Sequence, residues 1–337
     1  MCEVKRILII SEGSPGHESQ SKGFVYALKR YVDIEVTIIP GKMILRGCLR
    51  PLFRFILSLT GFRLSNFFLR KITMFTDVPD GLEKPDLIIS SGGKSVFVAR
   101  VLATRYKVNY CYIGEYKPYG NHWFDTIITP VISEPSEHII EVNLLPVFID
   151  ECDLKYEKEN NLWCMLIGGA SRSHNYLRED WIALAKSMNE LSSYHSIRWL
   201  ITTSRRTGEE AESILQQQIN PEYISDAVWW SERPQKKLRI FMMRASSIFV
   251  TQDSLTMVTE ALSMNKPVHM LYPDGMNELP SGFLGEYYKK LINQKYICRQ
   301  TFSSLRKNDL FSKKSVEFED NIESAILACF KIWNWES

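Results

Sequence analysis

The sequence predicts an α/β protein made of two doubly wound domains. Three observations carry that reading. Short, wholly apolar runs of strand length recur along the chain; each ends in a turn of glycine, serine or threonine; and each turn opens onto a stretch with helical spacing. The pattern runs twice, over residues 1–150 and again over 161–337, with the polar stretch "DECDLKYEKENN" marking a linker at 151–160. Buried strands alternating with helices favour parallel sheets. At 337 residues the chain is also long for a single core.

"RILIISEGSPGHESQSKGFVYALKR" predicts a buried strand at 7–10, a Gly/Pro/Ser loop, and a helix from near Glu18. "DIEVTIIP" supplies the next strand. "DLIISSGGKSVFVARVLATRY" predicts a strand at 86–90, a glycine turn and a helix from about Lys94, and "VNYCYIG" and "DTIITP" add two short strands. After the linker, "LWCMLIGGASRSHNY", "SIRWLITTSRRTGEEAESILQQQ" and "SSIFVTQDSLTMVTEAL" repeat strand, polar turn and helix, and "KPVHML" is another buried strand. The last helix lies in "SVEFEDNIESAILACFKIWNW", with Phe318, Ile322, Ile326, Phe330 and Trp333 along one side; it is a candidate to cross back to the N-terminal domain.

The net charge of +2 hides an asymmetry. Residues 42–71 hold seven Lys or Arg and no Asp or Glu, so the remainder of the chain is net acidic. Within that segment Pro51 predicts a helix start and Gly61 its end. The helix would carry Leu52, Phe53, Phe55, Ile56 and Leu59, and a second would begin near Ser65 with Phe67, Phe68 and Ile72. Large apolar side chains beside unpaired cations suit an anionic membrane surface, with Arg50, Arg54 and Arg63 as the contacts. The seven cysteines are scattered without a CxxC pair, which predicts reduced thiols and a cytoplasmic compartment. The six histidines are equally dispersed, so no metal site is expected; His174 and His195 read as structural or surface residues, and Trp229–Trp230 as a buried corner. The first apolar run stops at Ile10, too early for a signal peptide. No nucleic-acid partner is expected.

Ligands of open α/β sheets bind beyond the carboxyl ends of the strands. Three turns in the second half are built for phosphate: 168–173, 202–207 and 251–256. In "TQDSLTMVTEALSMNKPV", Asp253 or Ser254 can cap the helix that follows, while Leu255, Val258, Thr259 and Leu262 face a core. Free N–H groups and the helix dipole make such a turn receptive to anions. Glu260 lies further along the same helix. "SSGGKS" fails as a P-loop, because G-x-x-x-x-G-K-S/T needs glycine where Ile88 stands. There is no GxGxxG after the first strand and no Asp-x-Asp.

"PGHESQ" (15–20), "IGGASRSHNY" (167–176), "TTSRRT" (202–207) and "TQDSLTMVTEALSMNKPVHM" (251–270) resemble, in the same order, the signature blocks of the "elongated mitochondria" fission family. Its bacterial members are treated as glycosyltransferases. That family in turn is similar to the two-domain GT-B glycosyltransferases, including the enzyme that adds N-acetylglucosamine to the peptidoglycan lipid precursor. The resemblance runs from residue 7 to about 300. It implies a GT-B fold of two Rossmann-like domains facing a cleft, a nucleotide-sugar donor on the C-terminal domain, and a glycan or glycolipid acceptor on the N-terminal one. The donor site would comprise Gly168, Gly169, Ser171, Ser204, Arg205, Arg206, Asp253, Ser254, Thr256, Met257 and Glu260. Ser254 and Thr256 would meet the diphosphate and Glu260 the ribose. Gly16, Gln20, Gly92, Gly93 and Lys94 would form the acceptor side.

Transfer to a hydroxyl needs a base and stabilisation of the departing phosphate. His17 is the first candidate base, with Glu18 and Glu115 in reserve, and Arg205 or Arg206 would hold the phosphate without metal or cofactor. The expected setting is the inner face of the cytoplasmic membrane. The rival expectation is a non-catalytic adaptor of the same shape, as the plant member that partners a dynamin-like protein implies.

Overall fold

The structure, a computed structural model, describes residues 4–45, 49–63, 73–75, 83–117, 119–148, 156–171, 174–276, 278–305 and 318–335. The chain divides into two compact units, Met1–Phe148 with Glu317–Ser337, and Ile149–Val316.

The first unit is built on β1 (Lys5–Ser11), β2 (Ile34–Met43), β3 (Thr73–Phe75), β4 (Leu87–Ser91), β5 (Asn109–Ile113), β6 (Thr126–Thr129) and β7 (Ile139–Glu141). Their order is β3-β2-β1-β4-β5-β6-β7, parallel except for the antiparallel edge strand β3. The run Ile7–Ile10 is almost wholly buried. A parallel strand covered on both faces needs such a continuous apolar run. Its helices are α1 (Pro15–Leu28), α2 (Leu49–Leu59) and α3 (Val96–Tyr106). The first begins earlier than expected, because Pro15 occupies N1, where its missing N–H costs nothing. α2 likewise starts ahead of Pro51, which falls in the first turn. It ends at Leu59, two residues before Gly61, whose φ of +59° favours glycine. The helix expected near Ser65 lies outside the described residues.

The second unit holds β8 (Leu162–Leu166), β9 (Arg198–Thr202), β10 (Ile224–Val228), β11 (Ser247–Thr251), β12 (Val268–Tyr272) and β13 (Cys298–Thr301). They form a sheet of order β10-β9-β8-β11-β12-β13, parallel throughout. It is flanked by α4 (Arg178–His195), α5 (Glu209–Gln218), α6 (Leu238–Arg244), α7 (Leu255–Ser263) and α8 (Phe283–Asn293).

The terminal helix α9 (Phe318–Trp333) packs within the first unit. Trp333 meets Phe24 edge-on, Phe330 meets Tyr31, and the Trp333 indole N–H donates to Thr126 Oγ1 at 2.8 Å. Ile322, Ile326, Phe330 and Trp333 are all buried, as an apolar stripe requires. Trp229 and Trp230 do not both form a buried corner: Trp229 packs on the core but Trp230 is exposed, its backbone N–H donating to Thr203 Oγ1 at 2.8 Å. His174 is buried and His195 lies half-buried against Trp163. Among the described residues no cluster of three His, Cys, Asp or Glu could hold a metal, and no helix is long and apolar enough to cross a membrane.

Each sheet reverses direction once, between β1 and β4 in the first unit and between β8 and β11 in the second. At such a switch point the flanking turns part and leave a crevice. Most of the candidate residues fall on these two places.

Candidate functional site

In the second unit the crevice is organised by Asp253, whose side chain is fully buried. Its carboxylate accepts hydrogen bonds from the Gly169 N–H at 3.1 Å and the Tyr176 hydroxyl at 2.8 Å, and pairs with Arg206 at 2.7 Å. Three turns are thereby tied to one carboxylate. Gly168 and Gly169 are required by this packing. A Cβ at Gly168 would collide with the Asp253 carboxylate, and one at Gly169 with the Arg206 backbone. The turn after β9 is closed by Thr207, which accepts from the Ser204 N–H at 2.9 Å and donates to the Ile167 and Gly168 carbonyls. Burial, reinforced by the charge of Asp253, pushes the Tyr176 phenol well above its ordinary range, so it stays a donor.

Two pairs of neighbours, ambiguous in sequence, are separated here. Ser254, not Asp253, is the N-cap of α7, accepting from the Met257 N–H at 3.4 Å. Asp253 is instead engaged by the turn network that frames the crevice. Likewise Arg206 is committed to Asp253 and leans on the Gly169 and Ala170 carbonyls. Arg205 is exposed and makes no ion pair among the described residues. Thr256 is half-buried in the first turn of α7, and its hydroxyl has no hydrogen bond among the described residues. One turn further, the Glu260 carboxylate also lacks a hydrogen bond among them. Burial raises its pKa and the charge of Arg239 only partly offsets this. Ser171 sits beside His174, its N–H donating to the His174 carbonyl at 2.8 Å.

The crevice of the first unit centres on Glu12, a residue the sequence reading passed over. Glu12 Oε1 lies 2.8 Å from His17 Nδ1, and Oε2 accepts the Lys94 N–H at 2.8 Å. Burial favours the neutral acid, but the His17 and Lys94 contacts outweigh it and hold Glu12 below the usual carboxylate range. Gly92, at φ +89°, makes room, since a Cβ there would strike both His17 and Glu12. His17 Nε2 makes no hydrogen bond among the described residues, and the ring is part-exposed. Carboxylate, imidazole and free nitrogen form the arrangement of an oriented general base.

The other candidates divide. Gly93 accepts from Tyr119, and Gln20 is buried, accepting from Ser91. Gly16 lies in the first turn of α1. Glu18 is committed to Lys22 at 2.7 Å and to the Ser11 hydroxyl at 2.9 Å; the Lys22 hydrogen bond, above all, keeps it ionised. Glu115 is exposed; its backbone carbonyl accepts from Tyr112 at 3.1 Å, and its carboxylate has no hydrogen bond among the described residues. His17 is therefore the candidate base the structure equips best. The signal that could have found Glu12 was its place at the end of β1, where open α/β sheets put ligand-facing groups.

The model of the family described as mitochondrial fission ELM1 matches residues 15–327. The chain belongs to that family. A curated relative, the uncharacterized protein RP120 of Rickettsia prowazekii (strain Madrid E), is 24% identical over 185 residues, 54% of this chain and 50% of that protein. The chain thus spans about half the length of that relative. Among solved structures, the UDP-GlcNAc 2-epimerase of Methanocaldococcus jannaschii superposes with a TM-score of 0.56 at 12% identity, covering 97% of this chain and all of that one. The same enzyme has been solved with UDP-GlcNAc and UDP, where the TM-score is 0.52. The calicheamicin glycosyltransferase CalG4 gives 0.51 at 11% identity over 98% and 95% of the two chains. At such identities the likeness establishes a GT-B type fold for this ELM1 family member.

Proposed function

We propose that this ELM1 family protein is a glycosyltransferase that moves a sugar from a nucleotide-sugar donor to a cell-envelope glycan or glycolipid. The observation that supports it best is the Gly168–Gly169 turn locked on Asp253 and Arg206, beside the Ser254-capped start of α7 and the unbonded Glu260 carboxylate. The N-terminal end of α7, with its helix dipole, suits a diphosphate, and a desolvated carboxylate with no donor among the described residues suits a pair of ribose hydroxyls. A fold neighbour solved with UDP-GlcNAc and UDP, and another that is a glycosyltransferase, support the same reading. In it Arg205 meets the diphosphate with Ser254 and Thr256, Glu260 meets the ribose, and His17, oriented by Glu12, takes the acceptor proton. No residue needs a metal for these roles.

Calorimetry against uridine and cytidine diphosphates tests the donor site. Binding in the micromolar to millimolar range is expected. Arg205→Ala should weaken it by about 1.5–3 kcal/mol if a charge-assisted hydrogen bond is lost. If no common nucleotide or sugar nucleotide binds, the enzyme reading fails. The adaptor reading, which the family's link to mitochondrial fission favours, would then stand.

Glu260→Gln separates affinity from stability. A carboxyl whose pKa is raised by folding contributes stability only below its unfolded pKa, and loses it as pH rises through the folded value. Above its folded pKa the ionised, desolvated Glu260 is therefore a cost that glutamine removes. The melting temperature should hold or rise while nucleotide affinity falls. A variant that unfolds, or that binds as tightly as the parent, would make Glu260 a structural residue.

A further inference from the structure

We infer that Trp230 is the platform on which the nucleobase of the donor stacks. The role rests on the donor site proposed above and lies within the second unit alone. Trp163, Trp181 and Trp199 are buried in the core of that unit, and Trp229 packs against it. Trp230 is 40% exposed, and among the described residues no ring, cation or hydrogen-bond partner covers its indole. The turn beneath it is nevertheless tightly fastened. The Trp229 carbonyl accepts the Glu232 and Arg233 N–H groups at 3.2 and 3.0 Å. The Trp230 N–H donates to Thr203 Oγ1 at 2.8 Å, and that hydroxyl donates to the Glu212 carboxylate at 2.6 Å. Glu212, buried on α5, also accepts from the Ser231 N–H at 3.1 Å and from the Ser231 hydroxyl. A fixed turn that presents an aromatic face suits a flat ligand, because a tryptophan loses little conformational freedom when it is covered.

Strand register sets where that face lies. Val228 pairs with Thr202, Thr202 with Leu166, and Leu166 with Val250. Two residues beyond these pairs, Trp230, Ser204, Gly168 and Gln252 stand in the turns that leave β10, β9, β8 and β11 at one end of the sheet. Arg205 and Asp253 follow directly on two of them. Neighbouring strands about 4.8 Å apart put Trp230 about 14 Å from the turn before α7, a span that an extended nucleoside diphosphate bridges. Glu260 lies towards the same side. The charge of Arg239 reaches its carboxylate, and Arg239 is in the first turn of α6, the helix into which the Trp230 turn leads. With the diphosphate at the Ser254-capped end of α7 and the ribose at Glu260, the base falls towards Trp230. Every base has a π-face, so stacking there grips the nucleotide without choosing among bases.

The test is calorimetry on the intact protein with uridine diphosphate, cytidine diphosphate and inorganic pyrophosphate, for the wild type, Trp230→Ala and Trp230→Phe. Trp230→Ala should weaken both nucleotides by about 5–150-fold, the worth of one base–aromatic stack, and leave pyrophosphate unchanged. Trp230→Phe should keep most of the affinity, because a ring remains, yet lose the nucleotide quenching of tryptophan fluorescence seen in the wild type. The side chain is exposed, so the melting temperature should hold in both variants. The inference is overturned, with the donor reading intact, if Trp230→Ala binds the nucleotides as tightly as the wild type. It is equally overturned if Trp230→Ala weakens pyrophosphate as much as the nucleotides, or if the quenching persists in Trp230→Phe. It falls together with the donor reading if the wild type binds neither nucleotide.

Discussion

Asp253→Ala is expected to destabilise the second unit by about 3 kcal/mol, the largest loss from any single side chain of the candidate site. The carboxylate is fully buried and holds the Gly169 N–H, the Tyr176 hydroxyl and the Arg206 guanidinium. Breaking a buried ion pair costs about 3–5 kcal/mol because the remaining charge is stranded. Arg206 is one-third exposed, so water recovers part of that loss and the lower end applies. Two orphaned donors, at about 1–3 kcal/mol each when fully buried, keep the cost from falling much below it. For a unit of this size the melting point should drop on the order of 6–12 °C. Asp253→Asn retains an acceptor for Gly169 or Tyr176 and should lose less. A shift under about 2 °C for the alanine variant would mean that the turns after β8 and β11 are held by their backbones instead. Nucleotide affinity should fall as well, because those turns shape the phosphate crevice.

His17→Ala should lower turnover about 10²–10⁴-fold while leaving donor affinity unchanged. The side chain is part-exposed and caps nothing, since the N-cap of α1 is Ser14. The fold therefore has little to lose. Glu12→Gln should lower turnover less, because Glu12 only orients the ring. Nucleotide release from a panel of uridine and cytidine diphosphate sugars, with an envelope lipid extract as acceptor, reports both. Unchanged turnover in His17→Ala would pass the base role to Glu115, whose carboxylate has no hydrogen bond among the described residues. No release from the wild type with any donor would favour the adaptor.

The strands read correctly from sequence were β1, β2, β4, β5, β6, β8, β9, β11 and β12. These lie inside the sheets, where burial on both faces leaves a local mark. The strands missed were β3, β7, β10 and β13, all edge or next-to-edge strands of three to five residues. β13, "CRQT", is half-buried at every position and carries no apolar run. Its pairing to β12 is set by the sheet beside it rather than by its own residues. In α2 the expected helix was present, but Phe53 faces the core while its neighbours face out. Composition alone could not divide five similar side chains between two sides.

The order of elements, the glycine turns at strand ends and the basic apolar segment are properties of local sequence. Each depends on residues within a few positions of one another, and each was visible there. Which member of an adjacent pair does the chemistry was not. Asp253 beside Ser254, Arg206 beside Arg205 and Glu12 near Glu18 are equivalent by residue type and spacing. They differ only in what approaches them from elsewhere in the chain. Gly169 reaches Asp253 across 84 residues, and Lys94 reaches Glu12 across 82. The strand orders that bring β8 beside β11 and β1 beside β4 create those approaches. A buried carboxylate takes whichever donors the neighbouring turn delivers, and that delivery exists only once the sheet is assembled.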